Sequence, residues 1–107
     1  MAWFYLAIAG VLEIVWAFSM KKSAGFTLPV PTTITIVASL ASFVLLSVSM
    51  RSLPLGTAYT VWTGIGAVGA FAIGIAILGE AVTPGRLIAA VLIISGIVLM
   101  KLSGSEA

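Results

Sequence analysis

The sequence predicts an all-α integral membrane protein with four transmembrane helices per chain. Two observations carry this. Of the 107 residues, 62% are hydrophobic and 7% are charged, whereas a soluble domain carries about 25% charged residues; such a surface suits lipid, not water. The few charges also cut the chain into apolar runs: 2–20, broken only by Glu13, then 23–50 and 52–79 with no charge, then 87–100 between Arg86 and Lys101. A spanning helix needs about 20 mostly apolar residues.

The first span is placed at 2–20. It does not read as a signal peptide, because no positive residue precedes it, a carboxylate sits in its middle and three more spans follow. Trp3, Phe4 and Tyr5 at its start suit the aromatic belt at a membrane interface. The stretch KKSAGFTLPVP, with its turn residues and two prolines, leads into a second span at 31–50. SLPLG is a tight turn before a third span at 57–78, and GEAVTPG puts Pro84 where a helix can start, ahead of a fourth span at 85–102. That last run reaches spanning length if Arg86 and Lys101 extend their charges outward from its ends. Residues 1–107 therefore read as a single four-helix membrane domain, with nothing left for a soluble one.

Composition also excludes whole classes of function. A net charge of +2, with no basic cluster interleaved with aromatics, gives no nucleic-acid surface. There is no Cys and no His, which excludes disulfides and the usual zinc or haem ligands. No metal site, no cofactor and no enzymatic nucleophile–base set are expected. With alternating spans, Arg51 and Lys101 share one side, and Lys21, Lys22 and Arg86 share the other. An excess of one positive residue is a weak orientation signal, so insertion in both orientations is expected, with a single orientation set by Lys21 and Lys22 as the alternative.

Glu13 is the residue that demands chemistry. A carboxylate at the bilayer centre costs several kcal/mol and adds nothing to packing that Leu would not. A structural reading makes it a protonated group with one interhelical hydrogen bond. The functional reading, which we favour, makes it a site for cations and protons. Gly10 and Ala17, at i−3 and i+4, keep its helix face small and open. Trp16, at i+3, offers an indole N–H to the carboxylate or a ring to a bound cation.

In the second span Ser39 and Ser42 are i,i+3 neighbours at mid-depth and can face a cavity together, although a serine hydroxyl also bonds back to its own helix. In the third, Tyr59 and Trp62 lie one turn apart on a stripe that continues to Gly66 and Gly69, an aromatic wall beside a nearly bare helix face. Thr57, Thr60 and Thr63 add hydroxyls nearby. The string GIGAVG at 64–69 spells a dinucleotide fingerprint, but that motif needs a preceding strand, a soluble βαβ unit and an acid about 20 residues on. Inside an apolar span, glycines instead serve close helix packing and bending. Gly66, Ala70 and Gly74 form a small-residue row, and Gly64 with Gly66 is the expected bend. In the fourth span Ala89, Ile93 and Gly96 form a row suited to helix–helix association.

Four helices enclose little volume, and one carboxylate must neutralise a cation in an apolar surround. Two chains solve both problems by bringing two copies of Glu13 to one site near the midplane, between halves of opposed topology. A chain without charge bias can supply both halves as an antiparallel homodimer. The paired carboxylates titrate as a unit, and cation and protons compete for the same charge. If only loaded forms change their facing, protons flowing in drive cations out.

The whole chain resembles the small multidrug resistance family of bacterial four-helix exporters. The likeness is strongest in GVLEIVWAFSMKKSAGF, in ASF at 41–43 and in SLPLGTAYTVWTGIGAVGA. Within that family the Trp in EIVWA and the string WTGIGAVGA resemble the guanidinium exporter subtype more than the quaternary-ammonium subtype. The polyaromatic-cation exporters typically carry a small residue in place of Trp16 and a tyrosine in place of Ser39. The resemblance implies an antiparallel dual-topology homodimer in the bacterial inner membrane, exchanging protons for guanidinium or small guanidinyl cations. It implies Glu13 as the shared proton and substrate carboxylate, with Gly10, Trp16 and Ser42 lining the site and Trp16 and Ser42 hydrogen-bonding Glu13. Tyr59 and Trp62 become aromatic walls, Gly64 and Gly66 the bend of the third span, and the fourth span the dimer contact. Thr60, Ser19-Met20 and Ala89 depart from the pattern, none of them at the carboxylate. Two other readings remain: export of quaternary ammonium or polyaromatic cations, and a non-transporting membrane helper in which Glu13 only holds an assembly together.

Overall fold

A computed structural model of the chain describes residues 1–103; the last four residues, Glu106 among them, lie outside the described residues. Four helices follow one another: α1 (Ala2–Lys22), α2 (Pro29–Ser49), α3 (Leu55–Ala76) and α4 (Pro84–Ser103). All four are long and apolar enough to cross a membrane. The 21 residues of α1 make a helix about 31 Å long, against about 30 Å for a hydrocarbon core.

The helix ends follow from local chemistry. α2 starts at Pro29, two residues ahead of the expected position, because the prolines sit in the first turn, where a missing N–H breaks no helical bond. α3 likewise starts two residues early, immediately after Pro54, and stops at Ala76. The chain then leaves through Gly79 at φ +70°, a left-handed position that glycine adopts without strain. The turn between α1 and α2 is built around buried Ser23. Its hydroxyl donates to the Met20 carbonyl at 2.7 Å and accepts from the Phe26 N–H at 3.0 Å. This supports positive φ at Ala24, Gly25 and Phe26 in succession.

α1 is the hub. It packs along α2 on one side and α3 on the other, while α4 packs on α3. The core between the first three helices consists of Leu6, Ala9, Leu46, Leu53, Ala58, Val61 and Trp62. No residue of α4 is buried. The described chain is a slab measuring 43 × 34 × 16 Å.

The two ends of the slab alternate as the charge pattern predicts. Lys101 lies over the Trp3 ring at 4.6 Å, joining the two chain ends, and Arg51 lines a surface recess with Met1 and Tyr5. Lys21 shares a recess with Glu80 at the opposite end.

Candidate carboxylate site at the helix crossing

The site is assembled where α1 crosses α3. Glu13 stands at the middle of α1, and its carboxylate rests against the α3 backbone at Gly66. A Cβ on Gly66 would collide with Glu13 Oε1 and Cδ. The crossing is close because small residues on each helix receive larger ones from the other. Ile65 fills the space at Gly10, and Ile14 fills the space at Gly69. Gly10 is thus a packing seat within one chain, and GIGAVG is a contact surface. Its first glycine receives Ile97 and Ile93 of α4, its second receives Glu13 and its third receives Ile14.

A hydrogen-bonded lacing runs across three helices beside this crossing. Trp62 Nε1 of α3 donates to Ser42 Oγ of α2 at 2.9 Å, and Ser42 Oγ donates to the Ala9 carbonyl of α1 at 2.7 Å. Ser42 is fully buried and Trp62 is 7% exposed, so both bonds lie out of water. Here the structure departs from the expected geometry. Ser42 and Trp16 do not bond Glu13 in the single chain: the Ser42 proton goes to Ala9. Glu13 Oε1 and Trp16 Nε1 are instead both buried without a hydrogen-bond partner. Ser39 does not join Ser42, because its hydroxyl bonds back to Ile36 within α2 at 2.9 Å.

The aromatic groups form one continuous row. Trp16 meets Phe43 edge-on at 6.4 Å, Phe43 meets Trp62 at 6.0 Å, and Trp62 meets Tyr59 at 5.6 Å between ring centres. Phe43 is the member that residue-by-residue reading passed over, although it stands in the stretch ASF. It is adjacent to Ser42 and so points about 100° away on the helix, and no periodicity tied it to the two tryptophans. The Ala9 carbonyl was equally invisible, since a backbone acceptor leaves no mark in a sequence. Phe43 and Tyr59 are 47% and 53% exposed, so the row has one open flank.

Tyr59, Thr60 and Thr63 face a groove of about 560 Å³ towards Ile93 and Gly96 of α4. Ala89 lines a smaller recess with Phe71 and Arg86. Ile93 thus contacts α3 of its own chain, while Gly96 has open space where a side chain would stand. α3 is helical without interruption through Gly64 and Gly66. Among the described residues no group of His, Cys, Asp or Glu is arranged to hold a metal ion.

With this geometry in view, residues 1–94 match the family described as Small Multidrug Resistance protein. The chain belongs to the small multidrug resistance family. Its relatives in that family include proteins named guanidinium exporter from Citrobacter freundii and Salmonella typhimurium. Each is 54% identical over 103 residues, covering 96% of this chain and 98% of the relative. The relative of the same name from Escherichia coli K12 is 52% identical over the same coverage. Four apolar helices and membership of this exporter family make the chain a multi-pass protein of the bacterial inner membrane.

Proposed function

We propose that the chain exports guanidinium and small guanidinyl cations across the inner membrane in exchange for protons, acting as an antiparallel homodimer. The observation that carries this reading is Glu13, the one acidic residue within the four spans. It stands at the middle of α1, a helix of spanning length, with a buried carboxylate oxygen unpartnered, which is costly unless the group serves an ion. Guanidinium export by relatives of near-identical length supports the choice of substrate.

The chemistry agrees. Guanidinium is planar and presents paired N–H groups that match a carboxylate bidentately. Two Glu13 groups, one from each chain, clamp the cation edge-on, and the row from Trp16 to Tyr59 supplies ring faces that favour a cation. Trp16, Tyr59 and Trp62 border this space, with Gly10 and Ser42 behind them in the packing of each chain. The aromatic row has an open flank at Phe43 and Tyr59 and no residue of α4 is buried, so a second chain completes the walls. Opposed insertion of the two chains gives each face of the membrane an equivalent opening, with bending at Gly64 and Gly66 of α3 exchanging the two shapes. Of the row Ala89, Ile93 and Gly96 of α4, Ile93 packs on α3 of its own chain, and Gly96, with open space beside it, supplies the contact between chains. Protons and guanidinium compete for the same carboxylates, and no cofactor takes part.

Transport currents from reconstituted protein test the substrate. Currents with guanidinium and none with tetraphenylphosphonium are expected; the reverse pattern would move the chain to the quaternary-ammonium reading. Guanidinium binding to the purified protein should also release protons and weaken as pH falls. Binding that neither releases protons nor responds to pH contradicts exchange.

A further inference from the structure

We propose that Gly66 is a positioning residue for Glu13: its missing side chain forms the seat that fixes where the carboxylate stands at the α1–α3 crossing. This rests on reading Glu13 as the ion-binding group and adds a role to Gly66 beyond bending.

A glutamate carboxylate hangs on a flexible chain, and something must hold it. Hydrogen bonds do not do so here, since Glu13 Oε1 is buried without a partner, and Ser42 is engaged with Ala9 and Trp62. What the carboxylate does touch is the α3 backbone at Gly66. The other glycines of the crossing receive apolar groups: Gly10 takes Ile65, Gly64 takes Ile97 and Gly69 takes Ile14. Such contacts bring helix backbones together. Gly74 takes Glu80, but that residue comes from the loop that follows its own helix. Gly66 alone among the described glycines receives a charged group from another spanning helix.

The nature of the colliding atoms sets the consequence. A Cβ on Gly66 would meet the far end of a flexible side chain, not a backbone. The helices need not separate; the carboxylate swings away instead. Substitution at Gly66 therefore alters ion binding far more than folding, and its effect depends on the length of the side chain at position 13. A glycine kept only for bending has no such dependence.

A double-mutant cycle on the purified, full-length protein tests this with Gly66→Ala, Glu13→Asp and the pair, reading guanidinium Kd by tryptophan fluorescence. In the parent, Gly66→Ala is expected to weaken binding about tenfold, equivalent to about 1.4 kcal/mol, with the unfolding midpoint in SDS unchanged. In the Glu13→Asp background, where the carboxylate is already drawn back towards α1 from its place at Gly66, the further loss is expected to stay under about threefold. The side-chain carboxyl ¹³C resonance of residue 13 gives a second readout that needs no ligand. Gly66→Ala should displace it more in the parent than in the Glu13→Asp background. Equal losses in both backgrounds, or an unmoved resonance in the parent, overturn the seat. If Glu13→Gln still carries out proton-coupled transport, the reading of Glu13 itself fails, which is a separate outcome.

Discussion

Ser42 shows how a single hydroxyl ties three helices together out of water. It accepts from Trp62 and donates to Ala9, so its removal strands a buried indole N–H. In membranes such interhelical bonds are worth less than their surroundings imply, because alternative partners exist in the unfolded state. Ser42→Ala is accordingly expected to cost about 1 kcal/mol, measured as a lowered midpoint of unfolding in SDS, and to free the Trp62 ring from its fixed pose. An unchanged midpoint together with unchanged tryptophan fluorescence would show that the lacing contributes nothing. The sequence pointed to Ser42 by its depth and spacing, and to Glu13 by the cost of a carboxylate in lipid. It could not say which groups bond each other, since a serine at mid-depth bonds equally well to its own helix, as Ser39 does.

At the scale of elements, glycine placement decides which helices approach. Gly69 of α3 faces Ile14 of α1 with no room for a Cβ. Gly69→Leu therefore overpacks the crossing against Ile14 and should destabilise the fold by about 1–3 kcal/mol, again read from SDS unfolding. Gly96 of α4 is the opposite case, because open space surrounds the position of its absent side chain. Gly96→Leu should leave the single chain's fold intact and lower the dimer fraction seen by cross-linking in membranes. A dimer fraction equal to the parent's would remove Gly96 from the contact. The four helices were legible because charges fall only near their ends, apart from Glu13, and the two-residue shifts at the starts of α2 and α3 reflect prolines that cap the first turn. The pairing of α1 with α3 through interlocking glycines was not legible: a small-residue row names a close contact without naming the partner.

The whole molecule is a slab with one peripheral helix and no buried residue in it. Its balance of positive residues, two at one end and three at the other, is a weak orientation signal, in keeping with the proposed antiparallel pair of identical chains. Val82→Lys adds a fourth positive charge to the heavier end, in an exposed loop position. It should push most chains into one orientation, as read by the accessibility of a single introduced cysteine from each side, and guanidinium efflux should fall. Co-expression with a chain biased the other way, carrying Ser52→Lys and Lys22→Ala, should restore efflux. Full activity from chains in one orientation alone would contradict the antiparallel assembly.

In the proposed exchange Glu13 couples the two ions, and guanidinium flux driven by an imposed pH gradient in proteoliposomes reads that coupling. The parent protein should accumulate guanidinium against its gradient while protons run down theirs, and Glu13→Gln should abolish both fluxes. Undiminished gradient-driven guanidinium flux through Glu13→Gln would rule out coupling by Glu13 and leave it as an assembly contact.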